Sequence, residues 1–502
     1  MTKKWFQIGL AGIFLFSLAL RFWGLGRFNT LVFDEVYYAK FGNDYLTHVP
    51  FFDGHPPLGK YMIAVGIWLG SHVPFGQDTV NGLTGSLLSP WSYRWINAFS
   101  GSFIPLIIAG IAYQLSYRRS FALLAGFFTA CDGIFIVESR YALINIYIVL
   151  FGLLGQWLFL VALANYKQRH IYLALAGIAF GASIATKWNG LFFLIGIYLI
   201  WIINWVWQWI IKATSQTTNV IDDLFTSSKS SSTIASVSEL QSTAKIPLLQ
   251  NLTQINILQI AFFLGIIPLT IYSLIWIPHL QLDTKYGFIE VHKQILEFHE
   301  RLGGNNAKVH PYCAAWYKWP LMTRPMAYYY QTARSVTDPL PVFGPTLPPG
   351  AGKVIYDVHA MGNPFLWWFG AAAILFLIGM LVIQLAIPSV KQKRFSLPTT
   401  LDVDTWIALY LVVNYATNLV PWIKVTRCAF IYHYMTAVVF TFLAIAWFVD
   451  RCLYSYYRPL RALGITISFL IVLALVFWIP VYLGLPLSPE GYKARMWFNS
   501  WI

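Results

Sequence analysis

Charge is what this sequence has least of. Asp, Glu, Lys and Arg make up 11% of its 502 residues, against about 25% in ordinary globular proteins. That scarcity excludes a disordered chain, which needs high charge and little apolar content. Cysteine is rarer still: Cys131, Cys313, Cys428 and Cys452 are too few and too scattered for a disulfide or zinc framework. What fills the chain is apolar, 58% hydrophobic with a mean hydropathy of +0.59, as expected of a polytopic membrane protein. Acidic residues number 20 against 34 basic ones, a net charge of +14. No nucleic acid is needed to explain that excess, because membrane chains collect Lys and Arg in cytoplasmic loops and near anionic headgroups.

Apolar runs long enough to cross about 30 Å of hydrocarbon fall near 5–25, 95–116, 121–138, 141–165, 171–186, 191–211, 255–277, 365–387, 405–420, 428–449 and 462–484. Eleven spans are therefore expected. No small-residue cleavage site follows the first, so it is read as a retained span rather than a signal peptide. With eleven spans, Lys3 and Lys4, Arg118 and Arg119, Lys167 and Arg169, Lys212, the 391–394 cluster and Arg451, Arg458 and Arg461 share one side. The positive-inside rule makes that side cytoplasmic. The count requires the apolar stretch Tyr61–Gly70 to be an interfacial helix, and the short fifth and ninth spans can be re-entrant. The chain reads as a single membrane domain, 1–502, with two large external loops at 26–94 and 278–364. A cytoplasmic linker is expected over 213–254, where 15 of the 33 residues from 213 to 245 are Ser or Thr. Inverted repeats of the transporter kind are absent.

Polar groups are costly in a membrane chain, so their placement is informative. Most of the unusual ones gather on the expected external side. Phe33-Asp34-Glu35-Val36-Tyr37-Tyr38 sets two carboxylates side by side. Neighbouring side chains diverge on a helix and oppose on a strand, so the two have separate jobs: a general base with a structural carboxylate, or simply a solvated acidic pair. In 51–60, two prolines and Gly54 hold His55 and Lys60 on a stiff support; a plain loop-to-helix junction would look the same. Arg140, in Glu138-Ser139-Arg140, needs an anion at its depth, and either a phosphate or a carboxylate such as Glu138 serves. Lys187 and Trp188 end the fifth span, as interfacial anchors or as site residues. Lys424, Arg427 and His433 make a cationic cluster of the kind a lipid phosphate requires. In the second large loop, Phe288, Val291, Ile295 and Phe298 recur at helical spacing. His292 and His299 lie one heptad apart there, without the i, i+4 spacing of a metalloprotease helix, so an interfacial helix is expected. His310, Trp316 and Trp319 follow in an aromatic-rich stretch that suits sugar stacking or an interfacial belt.

Taken together and in order, FDEVYYAKF (33–41), FFDGHPPLGK (51–60), ESRYALIN (138–145), TKWNGL (186–191), HPYCAAWYKWPL (310–321), RPMAYYY (324–330), GNPFLWW (362–368) and RCAFIYHYM (427–435) resemble the protein O-mannosyltransferase family, in particular its bacterial polyprenyl-phosphate-mannose branch. The resemblance implies an all-α polytopic GT-C fold of eleven spans in the plasma membrane, with the N-terminus cytoplasmic and the active site external. It implies inverting transfer of mannose from a polyprenyl-phosphate-mannose donor to Ser or Thr of exported proteins. Carried over by position, Asp34 is the catalytic base, Glu35 its partner, and Arg140 the arginine near the lipid phosphate, with Arg427 and His433 beside it. His55, Lys60, Lys187, Trp188, His310, Trp316 and Trp319 are supporting or substrate-binding candidates. Two departures stand out. Asn145 occupies a position where related sequences usually carry Asp, and the second loop is too short for the β-trefoil domain of eukaryotic relatives. Asp34 and Glu35 offer hard oxygen ligands to a divalent ion, yet with so many cations to face a phosphate no metal or other cofactor is expected to be required. Two rivals remain: a GT-C enzyme with a lipid acceptor, and a transporter or flippase, which should show mid-membrane charges and repeat symmetry.

Overall fold

The computed structural model describes residues 1–73, 81–83, 86–225, 248–306, 308–392, 397–398 and 400–502. Helix α1 (Lys3–Phe22) starts where the Thr2 hydroxyl accepts from the Trp5 amide and stops before Gly24, whose φ of 57° is left-handed. Two shorter helices follow, α2 (Glu35–Thr47) and α3 (Leu58–Gly70). The apolar α3 rises only about 20 Å, too short to cross. A small hairpin, β1 (Asn81–Leu83) and β2 (Ser86–Leu88), leads to α4 (Pro90–Ser102) and α5 (Ile104–Ser116), which together make one long apolar rod.

Next come α6 (Arg119–Ala130) and α7 (Gly133–Arg140), one apolar run bent by 59°. The bend has a cause in the sequence. Asp132 adopts extended backbone and caps α7, and its carboxylate accepts from the Phe135 amide (3.2 Å), the Asn363 amide (3.0 Å) and the Trp367 indole (2.8 Å). Then follow α8 (Asn145–Ala164), α9 (Arg169–Thr186) and α10 (Leu191–Phe225). Of the linker expected over 213–254, residues 213–225 instead continue helix α10, 226–247 lie outside the described residues, and a 3-10 turn over Leu248–Gln254 resumes the chain. Helix α11 (Ile257–Gln259) continues through a π-helical stretch into α12 (Ile267–Leu282).

Helix α13 (Phe288–Arg301) follows the amphipathic spacing, burying Val291 and Ile295 against Tyr272 and Trp276. An antiparallel hairpin of β3 (Met326–Ala333) and β4 (Val354–Ala360) comes next, with β4 packed on α7 and on α17 (Arg458–Tyr482). The remaining elements are α14 (Pro364–Gln392), α15 (Val403–Leu419), α16 (Met435–Leu453) and the short α18 (Pro489–Lys493). Among the described residues, ten segments are long and apolar enough to cross a membrane, and the bent α6–α7 pair makes eleven. This is a multi-pass membrane protein. Helix α16 is its central column and is buried almost throughout, whereas α1, α12, α14 and α17 turn most of their apolar surface outward, as lipid-facing helices do.

Cysteine corrects one expectation. Cys313 and Cys428 form a disulfide, Cα atoms 5.2 Å apart across 115 residues of sequence. No framework exists, but two distant half-cystines give no spacing signal, and folding brings them together. The clip is reinforced by hydrogen bonds from Asn305 N to Thr426 O (3.0 Å), Cys428 N to Gly303 O (2.8 Å) and Ala314 N to Ala429 O (2.8 Å).

Candidate active site

The two neighbouring carboxylates are separated by one backbone feature. Phe33 takes a left-handed φ of 53°, a conformation that costs a non-glycine residue about 1–3 kcal/mol. It is held there by its ring, stacked on Tyr328 at 4.1 Å. Asp34 then becomes the N-cap of α2, yet its side chain makes no capping hydrogen bond and instead lines a cavity of about 580 Å³. Glu35 turns the opposite way and is fully buried. Its two oxygens accept from Arg94 at 2.8 and 2.7 Å and from the Val32 and Ala142 amides at 2.8 and 2.9 Å. With that complement Glu35 has no capacity left for a substrate. The sequence-based pairing of Glu35 with the chemistry gives way to a structural role.

The cavity wall also carries Asp53, His55, Lys187, Arg427, His433 and His310. A second cavity, of about 220 Å³, adjoins it and shares His55, Lys187, His299, Arg427 and His433, but apart from Asn189 is mainly apolar, walled by Trp188, Phe192, Leu296, Trp422 and Val425. The cations thus stand at the seam between a polar chamber and an apolar one. Among the described residues no ion pair takes up Lys187 or Arg427. Arg427 is half-buried and donates to the Cys428 carbonyl at 3.0 Å. Lys424 is exposed and lines neither cavity.

Burial sets the protonation of this wall. It pushes the Asp34 carboxyl up to about 6, with Lys187 pulling it back and Asp53 pushing it further. Burial lowers Lys187 as well, helped by Arg427 and opposed by Asp34. His55 is driven well below the usual imidazole range by burial and then by Lys187. His299 falls to about 4 through burial and then Arg427. Both imidazoles are neutral at pH 7, so the fixed positive charge belongs to Lys187 and Arg427.

The supporting residues fall into place around them. Lys60 is buried, paired with Asp53, and donates to the His55 carbonyl at 2.7 Å; it shapes the 53–55 turn and lines neither cavity. Trp188 donates from its indole to the Tyr272 hydroxyl at 3.0 Å. Trp319 is buried and stacks on the His433 ring at 6.1 Å, while its indole donates to the Ala314 carbonyl at 3.0 Å. Trp316 is half-buried against the core and lines neither cavity.

Arg140 requires a correction. It lies outside both cavities, and its guanidinium donates to the carbonyls of Leu20 (3.0 Å), Arg21 (3.1 Å) and Trp23 (2.7 Å). These belong to the last turn of α1 and the residue beyond it, where carbonyls lack helical partners and a cation is favoured. The anion that Arg140 needs is a helix end, which no local motif announces. Sequence reasoning also passed over Asp53, which stood inside a quoted motif, and His299, whose helix was read only as interfacial. Among the described residues no group of three His, Cys, Asp or Glu side chains is gathered as a metal site would need.

Residues 11–282, more than half of the chain, match the family described as dolichyl-phosphate-mannose-protein mannosyltransferase, and residues 284–501 match the C-terminal four-transmembrane region of protein O-mannosyltransferase. Similar proteins include the polyprenol-phosphate-mannose–protein mannosyltransferase of Mycolicibacterium smegmatis, 23% identical over 94% of this chain and 88% of that one. The Corynebacterium glutamicum protein of the same name is 22% identical over 99% of this chain and 94% of its own. In three dimensions the chain resembles the S. cerevisiae protein O-mannosyltransferase Pmt1-Pmt2 complex bound to the sugar donor. The TM-score is 0.73 at 15% identity, covering 100% of this chain and 93% of that one. A helical GT-C membrane fold built around this two-chambered cavity, matched by two family signatures end to end, makes the chain a glycosyltransferase that belongs to the dolichyl-phosphate-mannose-protein mannosyltransferase family.

Proposed function

We propose that the chain transfers mannose from a polyprenyl-phosphate-mannose donor to Ser or Thr hydroxyls of exported proteins, in one inverting displacement with Asp34 as the general base. The observation that carries this reading is the sharing of one cavity by a carboxylate without a hydrogen-bonded cap and two cations without a carboxylate of their own. A hydroxyl is a poor nucleophile, so a base must take its proton as the oxygen approaches the anomeric carbon. Asp34 takes that proton. The new C–O bond forms on the face opposite the phosphate, and the bond from the anomeric carbon to the phosphate oxygen breaks with its electron pair. A β-linked donor thereby yields an α-mannoside, without a sugar–enzyme intermediate. The leaving polyprenyl phosphate gains a negative charge, which Lys187 and Arg427 neutralise, with His433 and His55 beside them. The smaller apolar chamber suits the first isoprene units, and the larger polar one the mannose and acceptor.

The site is proposed to open on the external face of the plasma membrane, with the N-terminus cytoplasmic. Two independent considerations support that orientation. The charge asymmetry of the loops puts the cavity opposite the Lys/Arg-rich side, and the Cys313–Cys428 disulfide beside Arg427 belongs in an oxidising compartment.

Asp34→Asn tests the reading. It preserves shape and removes the proton acceptor, so transfer to a Ser/Thr peptide from labelled polyprenyl-phosphate-mannose should fall by about 10²-fold or more, with donor binding intact. Near-normal turnover would remove Asp34 from the chemistry, and transfer to a lipid in place of the peptide would reassign the acceptor.

A further inference from the structure

Behind the cavity wall lies a run of buried polar side chains that the reaction itself does not use. Glu138, at the end of α7, is fully buried, and Asn145 and Lys187 are 8% and 7% exposed. The Glu138 carboxylate accepts from the Tyr328 hydroxyl and from the Asn145 side-chain nitrogen, which lies 3.3 Å from each oxygen. Asn145 opens α8, and its side-chain oxygen accepts from the Lys187 ammonium at 3.0 Å. Of these four residues, only Lys187 lines the cavities.

The direction of this chain is dictated by chemistry. An ionised carboxylate only accepts and an ammonium only donates. An amide between them must therefore turn its nitrogen to Glu138 and its oxygen to Lys187, and no flipped arrangement satisfies both. Tyr328 in turn fixes the carboxylate, and its ring is pinned by the stack on Phe33, next to Asp34. Among the described residues one ammonium donor is hydrogen-bonded, to a neutral group, and the ammonium stands 5.3 Å from the centre of the Tyr432 ring. A carboxylate in direct contact would form an ion pair with Lys187 and compete with any anion arriving from the cavity. A carboxylate one amide away holds the lysine without neutralising it.

We propose that Glu138 and Asn145 are positioning residues, a hydrogen-bonded chain that aims the Lys187 ammonium at the donor phosphate and leaves its charge available. This rests on the reading of Lys187 as a phosphate ligand. It also accounts for Asn at 145, since the carboxyl group stands one step back, at Glu138.

The test measures binding of undecaprenyl phosphate to the purified full-length protein in detergent, for Lys187→Ala, Asn145→Leu and Asn145→Asp, with thermal unfolding run on each. Lys187→Ala should weaken binding by about tenfold or more, the size of one hydrogen bond to a charged group. Asn145→Leu keeps the volume and removes the oxygen that holds the lysine, so it should weaken binding to a similar degree. Asn145→Asp keeps an acceptor for Lys187 but pairs its charge directly, so it should also weaken binding, by about threefold or more. Its pH profile of transfer should move to higher pH, because the added negative charge opposes ionisation of Asp34. A packing role predicts binding losses that follow the unfolding midpoint, variant by variant. Parent-like binding by Asn145→Leu, or parent-like binding by Asn145→Asp, would overturn the proposal while leaving the phosphate reading in place. Unchanged binding by Lys187→Ala would overturn the phosphate reading itself.

Discussion

Glu35 and Asp34 are adjacent, yet their removal should damage different things. In Glu35→Ala, Arg94 keeps the carbonyls of Leu25 (3.3 Å), Phe28 (2.9 Å) and Thr30 (2.8 Å) but loses both carboxylate oxygens. Breaking a buried ion pair from one side costs about 3–5 kcal/mol. The Val32 and Ala142 amides lose their acceptor as well, at about 1–3 kcal/mol for each group left unpaired. Against a typical total of about 5–15 kcal/mol, that sum should keep the alanine variant from accumulating as folded protein. Glu35→Gln is the informative change, because it retains one acceptor oxygen and the shape. Its amide nitrogen must meet a donor, so a loss of about 1.5–3 kcal/mol is expected, the worth of one charge-assisted hydrogen bond. The assay pairs thermal unfolding in detergent with transfer per folded molecule, Asp34→Asn alongside. Glu35→Gln should lower the unfolding midpoint and keep the acid limb of its pH profile. Asp34→Asn should abolish transfer without lowering the midpoint, since burial already disfavours the charged form of Asp34. A Glu35→Gln protein with the parent's midpoint and no transfer would refute this division and return Glu35 to the chemistry.

Burial raises Asp34 to about 6, and only the ionised form accepts a proton, so kcat/KM should hold above that pH and fall as pH drops through it; a flat profile from about pH 5 to 8 would count against Asp34. Arg427→Ala should weaken undecaprenyl phosphate binding about tenfold, whereas Arg140→Ala should leave binding per folded molecule near the parent's and lower the unfolding midpoint, because it uncaps α1. Reversed outcomes for the two arginines would restore Arg140 to the phosphate. Replacing Cys313 and Cys428 by serine together should cost about 2–4 kcal/mol of stability and loosen donor binding severalfold, since the disulfide fixes the segment that carries Arg427; unchanged affinity would make the clip purely structural.

The ten long apolar segments and the bent α6–α7 pair were legible because a membrane span is written in a single variable, the length of an apolar run, and α3 falls short of that length. The break between α6 and α7 was not foreseen, since Asp132 finds partners in Asn363 and Trp367, more than two hundred residues away. The same limit explains the split among the polar candidates. That Arg140 needs an anion is local information; that its anion is the end of α1 is tertiary information. Arg94 drew no attention because its motif is unremarkable, yet it holds Glu35, and the carboxylate's fate depends on it. Trp316 and Trp319 are three residues apart in one aromatic run, and only packing makes one a stacking partner for His433. The β3–β4 hairpin was also missed, because its strand MAYYYQTA sits in a region whose aromatic content fits a belt equally well.

The arrangement of charge around the cavity fits the direction in which the proposed reaction moves it. Before transfer, one negative charge sits on Asp34 and one on the donor phosphodiester; afterwards Asp34 is neutral and the phosphate carries the charge it lost. Net charge in the cavity does not change, so the fixed cations need not be created or removed during the step. What changes is location, and Lys187 is electrostatically tied to the Asp34 end, lowering Asp34 while itself raised by it, and is the proposed ligand at the other. As Asp34 takes the hydroxyl proton its hold on Lys187 lapses, just when the phosphate's claim grows. An ammonium locked in a direct ion pair with a third carboxylate could not respond, whereas one held by the neutral oxygen of Asn145 can. The uncharged state of His55 and His299 serves the same end, because further fixed positive charge would favour ionised Asp34 and make it a weaker base. The buried setting that makes each charge costly is thus what allows two cations and one carboxylate to govern the step.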